Sequence, residues 1–95
     1  MRHALRFYAR HGADLGGTPT FRRESDRLNW TACDVALRSV PDNERFVLLR
    51  VYKLDCGSVD EAVATTARDF GLQRDALWRL VRGVERLVAV HRGLI

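Results

Sequence analysis

Seven residues close to one glycine carry the side chains best suited to recognising another molecule: Gln73, Arg74, Asp75, Trp78, Arg79, Arg82 and Arg86. A glutamine amide can bond both polar atoms of an adenine edge, and an arginine fork both acceptors of a guanine. A guanidinium also matches a phosphate in bidentate fashion. Spacing decides whether these groups can act together. Asp75, Arg79, Arg82 and Arg86 recur at fours and threes, so a helix puts them on one stripe, opposite Leu77, Leu80, Val84 and Val88. In a docked helix-turn-helix the first turns of the second helix meet base edges. Those turns hold Gln73, Arg74, Asp75, Trp78 and Arg79, which leaves Arg82 and Arg86 for phosphates. The chemistry expected is the reading of double-stranded DNA. Trp78 has two readings, an exposed apolar plate for a sugar or a protein, and ordinary core beneath the preceding helix.

The elements that must position this stripe are legible between Ser58 and His91. Ser58 is followed three residues later by Glu61, a capping box in which the serine oxygen accepts the Glu61 amide and the glutamate reaches back to the Ser58 amide. Val59, Ala62, Val63, Thr66, Ala67 and Phe70 follow at helical spacing. Gly71 can take the left-handed conformation that ends a helix. Leu72 and Gln73 make the turn, and a second helix starts near Arg74 with Leu77, Leu80, Val81, Val84, Leu87 and Val88 on one face. Ala67 is small enough for that helix to cross closely. Phe70 and Leu72 are expected to point inward, and Leu77 and Leu80 to face the first helix. These offsets predict a helix-turn-helix over 58–91.

The chain has 95 residues and is 46% apolar, enough for one small domain with its own core. No window is apolar for the length of a membrane span, so no membrane partner is expected. The start, MRHALRFYARHG, has no apolar run with a small-residue cleavage site, which makes the cytoplasm the expected compartment. The net charge is +4, which permits a polyanionic partner. All the positive side chains but Lys53 are arginine, a bias that suits phosphate contact and also arises from a GC-rich genome. Cys33 and Cys56 lie far apart and form no CxxC pair, so both read as small structural thiols. His3, His11 and His91 are scattered. No paired carboxylates, no nucleophile beside a histidine and no metal-ligand spacing occur, so neither an enzyme, a metal nor a cofactor is expected.

Upstream, 2–11 predicts a short helix with Ala4, Leu5, Tyr8 and Phe7 on its apolar face and Arg2, Arg6 and Arg10 on another. Ten residues are too few to stand alone, so this helix either covers the core or serves as a basic arm against a phosphate backbone. GADLGGTPT over 12–20 is a connector, and 1–24 together form a peripheral helix and loop. Ser25 or Asp26 is expected to cap a helix reaching about Val40, with Trp30 as core anchor. Pro41 opens a third helix over about 42–54, its acidic first turn suited to the helix dipole. Its dense apolar content makes it the most buried element expected. No convincing strand occurs. The fold class is all-α, a single small helical domain of about five helices containing the helix-turn-helix.

The segment VPDNERFVLL…Y followed by GLQRDALWRLVRGVERL resembles the fourth region of bacterial sigma factors and the small phage-encoded sigma-like regulators of Firmicutes. In that family a proline and a Glu-Arg pair open a helix ending in tyrosine, and an alanine stands four before a turn glycine. Pro41, Glu44, Arg45, Tyr52, Ala67 and Gly71 match these positions, and Arg74, Asp75, Leu77 and Leu80 match the recognition helix. The resemblance spans about residues 36 to 90. The residues before it do not resemble a polymerase-core-binding region. The resemblance implies a promoter or operator reader, a phage or prophage-type transcriptional regulator.

Two features of the last helix keep other readings open. Gly83 costs roughly 1 kcal/mol relative to alanine in a helix interior and suits close approach by another helix. The tail LVAVHRGLI is apolar, and can dock on the domain or form a homodimer contact through the C-terminal helix. A helical protein–protein interaction module without DNA binding is the first alternative, and a phage DNA-packaging small subunit the second.

Overall fold

The hydrophobic spacing resolves into five helices: α1 (Arg2–His11), α2 (Glu24–Arg38), α3 (Asp42–Lys53), α4 (Val59–Phe70) and α5 (Arg74–Arg92). This computed structural model describes residues 2–11, 20–54 and 57–94, and no strand occurs among them. Residues 12–19 of the connector expected over 12–20, and the thiol of Cys56, lie outside the described residues.

Local chemistry sets the helix ends. Ser58 is extended at φ −151°, and its hydroxyl accepts the Glu61 N–H at 3.2 Å. The Glu61 carboxylate reaches one residue further back than expected and accepts the Gly57 N–H at 3.2 Å. At the other end of α4, Gly71 takes φ 66°, and the Leu72 N–H closes on the Ala67 carbonyl at 2.8 Å. Only a residue without a Cβ adopts that backbone freely. Helix α2 differs from expectation, because Ser25 and Asp26 lie inside its first turn. Its flanking residue is Arg23, extended and without a side-chain cap. The earlier start brings Glu24 and Asp26 together at the positive end of the helix, where the dipole favours both, and Glu24 pairs with Arg27.

The core forms where the helix stripes meet. Helix α5 packs along α2, α1 covers α2 and α3, and α4 fills the angle between α3 and α5. Trp30 is buried, with the rings of Tyr8, Phe21 and Phe7 at 4.6, 5.7 and 6.0 Å. Leu5, Tyr8 and Ala9 are buried, so α1 acts as a cover over the core. Its C-terminal turn is also held to α3 through Arg10, which donates to the Leu54 carbonyl at 3.4 Å. Tyr8 donates to Asp34 at 2.7 Å, and burial with that carboxylate pushes its hydroxyl far above the ordinary range. Near the other end of the chain, Arg92 donates to Asn29 at 2.7 Å.

Three expectations about packing are corrected. Helix α3 is not the most buried element: Leu48, Val51 and Tyr52 are fully buried, but Phe46 is 64% exposed, whereas α4, of equal length, buries five side chains. Its apolar residues run all round it, and the neighbouring helices cover one side. Phe70 and Leu72 do not point inward; each is 41% exposed. Phe70 stands on the inward side of α4 by angle, but on a last turn that runs past the core, where it meets Phe46 edge-on at 5.8 Å. Leu80 is half-buried at the flank of α5, because the buried stripe is Leu77, Val81, Val84 and Val88.

Candidate nucleic-acid interface on α5

Helix α5 is nineteen residues long, and its buried stripe fixes what the opposite side presents. With Leu77, Val81, Val84 and Val88 in the core, residues about 180° away must face solvent. Asp75, Arg79, Arg82 and Arg86 are all exposed there. Gln73 is the exposed residue before the helix, at φ −73° and ψ 135°, and Arg74 is its exposed first residue. Six of the seven sequence-predicted site residues are therefore exposed, five of them on α5 and Gln73 immediately before it.

Trp78 is the seventh, and it lies between its two readings. It is half-buried, packs on the core, and its indole is flanked by two guanidinium groups. Arg82 lies 5.7 Å from the ring centroid and Arg2 lies 5.8 Å from it. Such stacking holds a guanidinium in place without neutralising it.

One residue changes the electrostatics from what the linear sequence suggests. Glu85 stands among the arginines in sequence, yet it leaves the stripe. It accepts from Arg2 at 3.0 Å and from the Tyr52 hydroxyl at 3.2 Å, with 17% of its side chain exposed. Burial and the Glu85 carboxylate raise the Tyr52 hydroxyl well above its ordinary range. Asp75 is thus the one carboxylate on the exposed stripe. Among the described residues, Arg74, Arg79, Arg82 and Arg86 form no ion pair.

Arg2 is the residue that the sequence reading missed as part of this face. It belongs to α1, but docking of α1 carries its guanidinium to Trp78 and Glu85. Its signal was the arginine row of α1, whose destination depends on packing between residues 83 positions apart.

Cys33 is fully buried, and burial pushes its thiol up to about 12, so at neutral pH it is a small protonated apolar group. No group of three or more His, Cys, Asp and Glu among the described residues is placed to hold a metal ion, and no helix among them is long and apolar enough to cross a membrane. Fold and surface together define a small five-helix domain with an arginine-faced last helix. Comparison with protein-family models, with curated proteins and with solved structures gave no match.

Proposed function

We propose that this domain binds double-stranded DNA through the exposed stripe of α5, as a phage or prophage-type transcriptional regulator. One observation carries the reading: Arg79, Arg82 and Arg86 line one side of a helix that follows a tight glycine turn, without an ion pair among the described residues, with Glu85 turned away. Unpaired arginines at helical spacing suit successive phosphates, and their neutralisation releases counterions from the duplex. Gln73, Arg74 and Asp75 sit at the start of α5, where a recognition helix meets base edges. The resemblance to a sigma-factor fourth region points the same way.

The test is fluorescence anisotropy of a labelled random duplex at two salt concentrations. Binding should weaken steeply with salt, with a logarithmic slope of about −0.9 for each phosphate neutralised. Folded protein that leaves the duplex free at low salt would overturn the reading.

A protein-binding module is the second reading, favoured by a specific observation. Phe46, Phe70 and Leu72 are all exposed, the first two in ring contact, beside the turn that precedes α5. Contiguous exposed apolar patches mark interaction sites, and aromatic residues are enriched at protein–protein interfaces.

A further inference from the structure

A groove runs beside the arginine stripe. Val40 at the α2–α3 corner, Leu48 of α3, and Leu80, Gly83, Leu87 and Val90 of α5 line a cavity of about 360 Å³ with apolar walls. Arg79 and Arg86 stand on its lining, and among the described residues neither has an ion-pair partner and no carboxylate lines the groove.

Gly83 sits midway along the groove. Nothing lies within 4 Å of the point where its Cβ would be. Glycine weakens a helix interior relative to alanine, and no element of the described chain occupies the room it leaves. The close approach by another helix that Gly83 suits is therefore not used within the described chain, and the open room faces outward. Leu80, Gly83, Leu87 and Val90 recur at threes and fours, the row into which a ridge of another helix packs. From Arg79 to Val90, α5 rises about 16 Å, roughly three helical turns.

We propose that this groove takes an acidic amphipathic helix of another protein. Its apolar side would fill the groove and approach closely at Gly83, and Asp or Glu on its flank would meet Arg79 and Arg86. Charge selects this occupant. Two-fold pairing with a second copy of the chain would bring Arg79 and Arg86 against their own counterparts. Duplex DNA meets the arginines but offers no apolar ridge for the groove. Because Arg79 and Arg86 also belong to the proposed DNA face, bound helix and duplex exclude each other; this last consequence alone rests on the DNA reading.

The test uses a displayed library of amphipathic helices about fourteen residues long, with leucine along one side and Asp, Glu, Lys, Arg or Ser allowed at flanking positions. It is selected on the full chain, and the binders are measured on the chain and on Gly83→Leu. The substitution enters open space, so circular dichroism should match the parent while the groove is filled. Selected helices should carry Asp or Glu flanks and bind Gly83→Leu and an Arg79→Ala/Arg86→Ala variant at least about tenfold more weakly. Should Gly83→Leu lose helicity, Val90→Asp at the exposed end of the groove makes the same test by charge repulsion. Neutral or basic flanks, or equal binding to the filled variant, overturn the proposal. So does a concentration-dependent dimer in sedimentation that Gly83→Leu dissolves, since the occupant is then a second copy. Random-duplex binding measured on Gly83→Leu separates the two readings: the variant keeps its arginines, so DNA binding should persist where helix binding is lost.

Discussion

The two sides of α5 obey different rules. One carries Leu77, Val81, Val84 and Val88, all at most 2% exposed; the other carries Asp75, Arg79, Arg82 and Arg86 in open solvent. The buried side is specified by volume, because a close-packed interior registers the loss of a single methylene. The exposed side is specified by charge and spacing, and its residues can change without unsettling the fold. On the proposed DNA reading, stability and recognition are therefore separable on one helix. Glu85 joins the two sides, since it removes a negative charge from the exposed stripe and spends it on Arg2 and Tyr52.

The largest expected effect breaks the buried side. Leu77→Ala should destabilise the domain by about 3 kcal/mol, read as a lower midpoint in urea with unchanged charge. If DNA binding per folded molecule falls as well, the two sides are not independent. The complementary change is Arg79→Ala with Arg82→Ala. It should cut random-duplex affinity at least about tenfold and flatten the salt slope by about two, while the urea midpoint barely moves.

Alkali tests the buried side without a mutation. Tyr8 and Tyr52 are held above their ordinary value of 10.0, first by burial and then by Asp34 and Glu85 respectively. A raised folded value makes their contribution complete below pH 10 and diminishing as pH climbs past it, because the unfolded chain ionises first. Cys33, raised by burial from its ordinary 9.0 to about 12, adds the same dependence one step earlier, so urea midpoints should be flat near pH 8, begin to fall at about pH 9 and fall more steeply above 10. Tyrosinate absorbance should appear together with the loss of helix; its appearance in the folded domain near pH 10 would show that these hydroxyls are open to water.

Two smaller changes sharpen the comparison by adding stability. The Thr66 hydroxyl is buried without a hydrogen-bond partner among the described residues. Thr66→Val keeps its shape and removes an unsatisfied group, and should raise stability by about 1 kcal/mol. Gly83→Ala enters open space inside a helix and should raise it by about 0.5–1 kcal/mol. A loss of stability in either variant, measured by urea titration, would mean that the site is more crowded than its geometry indicates.

Much of this architecture could be read from the chain. Helix ends were legible where one residue type has few conformational choices: Gly71 at positive φ, Pro41 ahead of α3, and the Ser58–Glu61 pair. The register of α5 was legible because its apolar period persists over nineteen residues. Burial was less legible, because periodicity shows which side of a helix is apolar but not how far a neighbour extends along it. Phe70 has the right angle and lies past the end of its cover, and Phe46 belongs to a helix apolar on all sides. The α2 start was missed because Ser25 and Asp26 are good caps, and the cost of forgoing them is offset by two carboxylates at the dipole. At the candidate site the arginine stripe could be read from spacing alone. The inward turn of Glu85 and the arrival of Arg2 could not, since both depend on how α1 docks.

The pairing of α2 with α5 governs how the domain is made. Of the five helices, the last to leave the ribosome is the one against which the second must pack. A nascent chain that has released only the first four therefore carries an uncovered apolar side on α2 and an unfilled angle beside α4. Its core closes in one late step, and a stop ahead of Val81, Val84 and Val88 leaves a product for proteases and aggregation rather than a smaller folded domain.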